Sequence, residues 1–202
     1  MNITGVILDT SNDTEMTGFI HIGQKTLIEH QVNELKKICK EVILVTSHPS
    51  HYLPLLGNSS RMITNYFKGS QRLSALHAAL SLSKNDWLWV VTSDMPFLSA
   101  DAILFMYTFK KEGLQLITSE YNGSIQPFHS LYERSCADIT NQLLEQENAS
   151  IMSLLEKVNF KVIDNEKFEA IKIDKPFQLR VKSFEDYQEA KRNSQNDSII
   201  SM

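Results

Sequence analysis

Short, uninterrupted apolar runs alternate with longer stretches of helical periodicity along most of this chain. Trp87–Thr92 (WLWVVT) and Glu41–Ser47 (EVILVTS) are continuous and rich in β-branched residues, the pattern of strands covered on both faces. Gly5–Leu8 is a shorter run of the same kind. Between them, Thr26–Cys39 places Leu27, Ile28, Val32, Leu35 and Ile38 on one helical face, and Leu73–Leu82 is rich in Ala and Leu. This rhythm predicts a three-layer α/β domain with a mostly parallel sheet and helices on both faces. The chain of 202 residues is long enough for one large domain, expected over 1–190, followed by a polar, frayed tail over 191–202.

The remaining segments fit the same scheme. "SHPSHYLP" predicts a loop, because two prolines interrupt it. "RMITNY" predicts a short strand, and Ser99 is placed to cap a helix over Ala100–Lys111 that stops at Gly113. Leu114–Ser119, "QPFHSLY", "FKVIDN" and "AIKIDK" predict extended structure, with "YNG" as a turn. "SCADITNQLLEQ", "SIMSLLEKV" and "FEDYQEAKR" predict helices.

A formal net charge of −4 gives no general affinity for nucleic acid or for an anionic membrane, and no apolar stretch approaches spanning length. The N-terminus lacks the pattern of a secretory signal, so a cytoplasmic location is expected. Cys39 and Cys136 form no C-x-x-C pair and are expected to be small buried residues. His48 and His51 lie three apart but have no acid or Cys nearby in sequence, and His77 in its Ala/Leu-rich helix is expected to be a hydrogen-bonded core residue.

In open α/β sheets, ligands bind beyond the carboxyl ends of the strands, which directs attention to the loops after Leu8, Ser47, Tyr66 and Thr92. The last of these reads "TSDMPF". A carboxylate just past a buried strand, followed by Pro, suits a Mg²⁺ ion held on phosphates; the bland alternative is that Asp94 caps a turn. Neither a P-loop nor a G-x-S-x-G pattern occurs.

Taken in order, "VILDTSNDTEM", "KTLIEHQVNELKKICKEVILVTS", "GSQRLSALHAAL", "VVTSDMPF", "QPFHSLY" and "VKSFEDYQEA" resemble the successive motifs of the molybdenum cofactor guanylyltransferase family. The resemblance runs from Met1 to about Ala190. It implies a Rossmann-like, nucleotide-diphospho-sugar transferase fold. It also implies that GMP is transferred from GTP to the phosphate of the molybdopterin cofactor, with Mg²⁺ required and pyrophosphate released. Nucleotide and pterin-type small molecules are then the implied ligands. On the matching positions, Asp94 would hold the metal, and Leu8, Thr10, Ser11, Lys25, Asn65 and Gly69 would line the nucleotide.

Several positions depart from the family pattern. Thr10 and Ser11 stand where two glycines let backbone N–H groups approach phosphate, and Glu15 replaces an Arg. A Lys that follows this loop in the family has no counterpart, which leaves Lys25 as the nearest lysine. Asp9, Asp13 and Glu15 place three acids where phosphates are expected. Two like charges ~5 Å apart at an effective dielectric of about 20 repel by roughly 3 kcal/mol before screening. Arg180 and Lys182, in place of a pterin-side pattern, read as an exposed basic strand end, with an anion-holding role as the alternative. His129 lies in the "QPFHSLY" run with no role assigned. Three readings follow: an active nucleotidyltransferase, a non-catalytic homologue that binds a protein partner or another small anion, or, more distantly, a generic α/β sugar-nucleotide binding domain with another base.

Overall fold

The computed structural model describes residues 2–10, 17–64, 71–146, 149–173 and 176–200, with 193–200 described for the backbone alone. The strands are β1 (Ile3–Asp9), β2 (His21–Ile22), β3 (Lys25–Thr26), β4 (Glu41–Thr46), β5 (Arg61–Ile63), β6 (Trp87–Thr92), β7 (Leu116–Tyr121), β8 (Ser124–Glu133) and β9 (Phe160–Ile163). The α-helices are α1 (Leu27–Leu35), α2 (Pro49–Leu56), α3 (Gln71–Leu82), α4 (Ala100–Tyr107), α5 (Cys136–Leu144), α6 (Ile151–Leu155), α7 (Asn165–Glu169) and α8 (Phe184–Ile200).

Seven strands form one sheet in the order β5-β4-β1-β6-β8-β7-β9, and β2 pairs with β3 in a small separate ribbon. All strands of the large sheet run in one direction except β8, which is antiparallel to β6 and β7. The mostly parallel α/β architecture is therefore present. Every residue of β1 and β6 is buried, as expected of strands covered on both faces.

Neighbouring residues of β1 show how the faces are covered. A Cβ on Gly5 would meet Leu35 of α1 at 3.1 Å, so the missing side chain lets α1 lie close to the sheet. The next position, Thr4, points the other way, where its hydroxyl accepts from Ser83 just past α3 at 2.8 Å. Helices α1 and α3 thus pack on opposite faces. His77 of α3 is hydrogen-bonded to Thr140 of α5 at 2.9 Å, as expected, but it is half-buried at the α3–α5 contact rather than in the core.

Local chemistry explains the element ends. Glu29 reaches back to accept from both the N–H (2.8 Å) and the hydroxyl (2.7 Å) of Thr26, which fixes the start of α1. The Ser99 hydroxyl accepts from the Ala102 N–H at 3.1 Å and caps α4, which stops at Tyr107, short of the expected Lys111. Asn122 and Gly123 both have positive φ, 50° and 72°, and turn β7 into β8.

Two sequence expectations are corrected. "SHPSHYLP" forms α2, because Pro49 sits in the first turn, where a missing N–H costs nothing, and Tyr52 and Leu56 share a buried face. "AIKIDK" forms no strand among the described residues. Instead Phe168 buries itself from α7, and the chain turns over Ala170–Lys172 with φ 60° at Lys172. The helix expected over "FEDYQEAKR" is α8, which spans Phe184–Ile200 without an interrupting Gly or Pro.

Candidate active site

Strands β1 and β6 lie side by side at the centre of the sheet. The chain leaves β1 toward β4 on one side and leaves β6 toward β8 and β7 on the other. This reversal opens a crevice at their carboxyl ends. Two bonds tie its walls together: the Ser93 N–H donates to the Leu8 carbonyl at 3.1 Å, and Gln31 of α1 donates from Nε2 to the carbonyls of Thr92 (2.9 Å) and Met95 (2.8 Å). Gln31 is fully buried, and its amide orientation is set by these two acceptors, since the flipped form would face oxygen with oxygen. It was not singled out from sequence, where it is one polar residue on an amphipathic helix. Gln31→Leu keeps the bulk but removes both donations, so the Met95 carbonyl loses its Gln31 donor while the Thr92 carbonyl keeps the Met95 N–H at 3.2 Å. The substitution is expected to destabilise the protein by about 2 kcal/mol in urea titration.

Asp94 lies two residues beyond β6. Its Oδ1 accepts from the Thr92 hydroxyl at 2.5 Å, and its Oδ2 from Arg180 Nε at 2.8 Å and also from Arg180 Nη2. Backbone contacts fix the partner segment: the Val181 N–H donates to the Asp94 carbonyl at 2.8 Å. Val181 is buried with Leu27 and Tyr187, and Tyr187 stacks on Phe97 at 5.7 Å. Ser183 and Asp186 then start α8 reciprocally. The Asp186 N–H donates to the Ser183 hydroxyl at 3.1 Å, while the Asp186 carboxylate accepts from the Lys182 N–H at 2.8 Å. Arg180 is thus not on a strand end. Packing and backbone bonds bring it to Asp94 from 86 residues away.

This arrangement does not fit a magnesium ion at Asp94. Both carboxylate oxygens already accept from protein donors, and the group on Oδ2 is itself a cation. Among the described residues, no group of three or more His, Cys, Asp or Glu side chains is placed to hold a metal.

Asp9 also differs from its expected role. The residue is 5% exposed, and its carboxylate accepts from Thr46 Oγ1 at 3.0 Å, Tyr52 OH at 2.8 Å and Ser93 Oγ at 2.9 Å. Its charge is therefore held inside the protein by three hydroxyls rather than presented to a ligand. Burial first, and then the Asp9 charge, raise the Tyr52 pKa. Gly18 completes this corner, because a Cβ there would stand 3.1 Å from the pinned Tyr52 hydroxyl.

The other predicted residues are dispersed. Leu8 has a fully buried side chain and a carbonyl already used by Ser93. Thr10 is half-buried at the end of β1. Lys25 is exposed on β3, and no hydrogen bond or ion pair joins it to Asp94 among the described residues. Ser11, Asp13, Glu15, Asn65 and Gly69 lie outside the described residues.

The "QPFHSLY" run forms a self-bonded corner in β8. The Gln126 carbonyl accepts from the Thr118 hydroxyl and from Ser130 Oγ (2.8 Å), and the Pro127 carbonyl accepts from Tyr132 OH at 2.7 Å. The β7–β8 register shifts between Ile117 and Ser119, and His129 takes φ 58°. His129 faces inward. It packs on Trp89 and Phe177, and its Nε2 accepts from the Ser99 N–H at 3.0 Å. The corner sets Gln126, Pro127 and Phe128 along a cavity of about 180 Å³, which Arg72 and Arg180 also line. Arg72 is the second residue of this site, after Gln31, to which the sequence assigned no role. Cys39 and Cys136 are buried, and burial pushes both thiols up to about 12.

A mostly parallel sheet with an acid at its switch point and two arginines along the cavity beside it defines an open α/β domain with a candidate ligand crevice at the strands' carboxyl ends. The chain belongs to the family of the MobA-like NTP transferase domain, whose model matches residues 17–162. A probable molybdenum cofactor guanylyltransferase of Clostridium perfringens is 25% identical over 166 residues, covering 82% of this chain and 79% of the relative. The molybdenum cofactor guanylyltransferase of Desulfosudis oleivorans is 22% identical over 176 residues, covering 85% and 86%. Molybdopterin-guanine dinucleotide biosynthesis protein A of Archaeoglobus fulgidus shares the fold with a TM-score of 0.77 at 18% identity, over 96% of this chain and 99% of that one. No helix among the described residues is long and apolar enough to cross a membrane.

Proposed function

We propose that this protein is a cytoplasmic nucleotidyltransferase of the molybdenum cofactor guanylyltransferase type. The reaction joins GMP from GTP to the phosphate of a molybdopterin-type acceptor. An acceptor phosphate oxygen bonds to the α-phosphorus, the bond from that phosphorus to the β-bridging oxygen breaks, and pyrophosphate leaves. The observation that carries this reading is the place of Asp94: two residues past the central strand, at the switch point, in a chain with the family's matched motifs. Thr10, Ser11, Asn65 and Gly69 belong on the nucleotide side, and Lys25 adds positive charge at the entrance. Little covalent chemistry is asked of the protein. Its part is to position two phosphates and to offset their charge.

Titration of the folded protein with GTP, followed by an assay of GMP transfer with and without Mg²⁺, tests the reading. Binding together with transfer supports it. No heat with GTP at millimolar concentration, and no transfer, would sink it.

One observation favours a second reading, a non-catalytic homologue that binds another small anion or a protein partner. The carboxylate expected to serve a metal is already paired with Arg180. The triple substitution Thr10→Gly, Ser11→Gly and Glu15→Arg returns bare backbone and positive charge to the loop, and is expected to raise GTP affinity by at least about tenfold. An unchanged dissociation constant, or transfer by the parent as fast as by the variant, counts against the second reading.

A further inference from the structure

The cavity beside Asp94 has a distinctive wall. Among the described residues that line it, the charged ones are Arg72, at the start of α3, and Arg180; the rest include Met95, Met152, Gln126 and Gln178. Asp94 itself does not line it. The carboxylate holds Arg180 from behind, by Nε at 2.8 Å and by Nη2. Two guanidiniums therefore face one cavity and share one compensating carboxylate, which leaves one positive charge in excess among the described residues of the wall.

Such a pair repels itself. Burial and then the charge of Arg180 both lower the Arg72 pKa, and Asp94 only partly offsets them. An anion placed between the two arginines converts the repulsion into two attractions. Guanidinium forks suit phosphate, whose oxygens accept from both at once, and a dianion matches two cations better than a single carboxylate does. The Met side chains give the rest of the wall an adaptable apolar surface, suited to the body of a phosphate ester.

We propose that Arg72 and Arg180 bind a phosphate or pyrophosphate group directly, with Asp94 as the positioning residue that aims Arg180, so that the site takes its anion without a divalent cation. A guanidinium stands where a metal-dependent site would place the ion. The transferase reading is used here only to expect a phosphorylated ligand; the anion site itself rests on the cavity and the ion pair.

The test is isothermal titration of the full chain with inorganic pyrophosphate in EDTA. The wild type is expected to bind, and Arg180→Gln and Arg72→Gln are each expected to bind about tenfold or more weakly. Circular dichroism and melting temperature establish that the variants are folded. Arg180→Lys keeps the charge but not the fork, and is expected to fall between wild type and Arg180→Gln. In Arg180→Gln the Asp94 carboxylate is released, so added Mg²⁺ is expected to restore part of the lost affinity, whereas the wild type needs none. Absence of binding by the wild type in EDTA overturns the proposal, as does equal binding by the folded Arg180→Gln and Arg72→Gln variants. If pyrophosphate binds as expected but GTP gives no binding or transfer, the transferase reading fails and this one stands. If GMP transfer occurs and the arginine variants bind pyrophosphate like the wild type, the reverse holds.

Discussion

Asp9→Ala is expected to lower stability by about 3–5 kcal/mol, the cost of breaking a buried, hydrogen-bonded charge network from one side. The carboxylate is almost completely buried and accepts from Thr46, Tyr52 and Ser93, which come from β4, α2 and the loop after β6. Truncation removes the shared acceptor and leaves three hydroxyls facing a small void. Tyr52 has little freedom to turn elsewhere, since Phe19 packs on its ring at 4.7 Å and Gly18 lies against its hydroxyl. Asp9→Asn keeps the shape, and a hydroxyl can rotate to accept from the new amide, so a smaller loss of about 1–2 kcal/mol is expected. Urea unfolding of both variants, and of Tyr52→Phe alone and combined with Asp9→Ala, measures the effect. The double variant is expected to fall well short of the sum of the single losses, because the two residues share one network. A loss below about 1 kcal/mol for Asp9→Ala would mean that this acid is an ordinary loop residue.

What was legible in the sequence follows the range of the interaction. WLWVVT can be read as a central strand because burial on both faces keeps it apolar up to its terminal Thr92, and the position of Asp94 beyond it follows from counting. The Asn122–Gly123 turn and the Ser99 cap are equally local. Pro49 and Pro54 concealed α2, because a proline reads as a break unless its place in the first turn is known, and the buried Tyr52–Leu56 pair is too short a period to correct it. Asp9 was misjudged for a different reason. Next to Asp13 and Glu15 it reads as part of an acidic loop, yet as the last residue of β1 it meets hydroxyls from positions 46, 52 and 93, and nothing local announces that convergence. Arg180 and Asp94 are the extreme case. Each looked explicable alone, one as an exposed cation and the other as a metal ligand, and only the fold makes them partners.

Acidification is expected to destabilise the wild type through His129 well before most carboxylates titrate. The ring is fully buried against Trp89 and Phe177, and its Nε2 already serves as acceptor for the Ser99 N–H, so a proton there would break a hydrogen bond as well as charge the core. Burial lowers its pKa from 6.5 to about 3. The unfolded chain therefore takes up this proton more readily than the folded one. The stability His129 contributes is fully present above pH 6.5 and is lost as pH falls toward about 3. Through that window the slope is about 1.4 kcal/mol per pH unit, which amounts to roughly 2 kcal/mol by pH ~5. His129→Asn is the informative comparison. Asparagine tolerates the positive φ of 58°, carries an oxygen that can accept from Ser99, and does not titrate. The variant is expected to be less stable at neutral pH, because it fills less of the core, but to lose less stability on acidification. Unfolding free energies of the two proteins between pH ~7 and ~5 should therefore converge by roughly 2 kcal/mol. Parallel curves would show that the imidazole is charged in the folded protein, and with it that the Ser99 bond does not hold Nε2 as an acceptor.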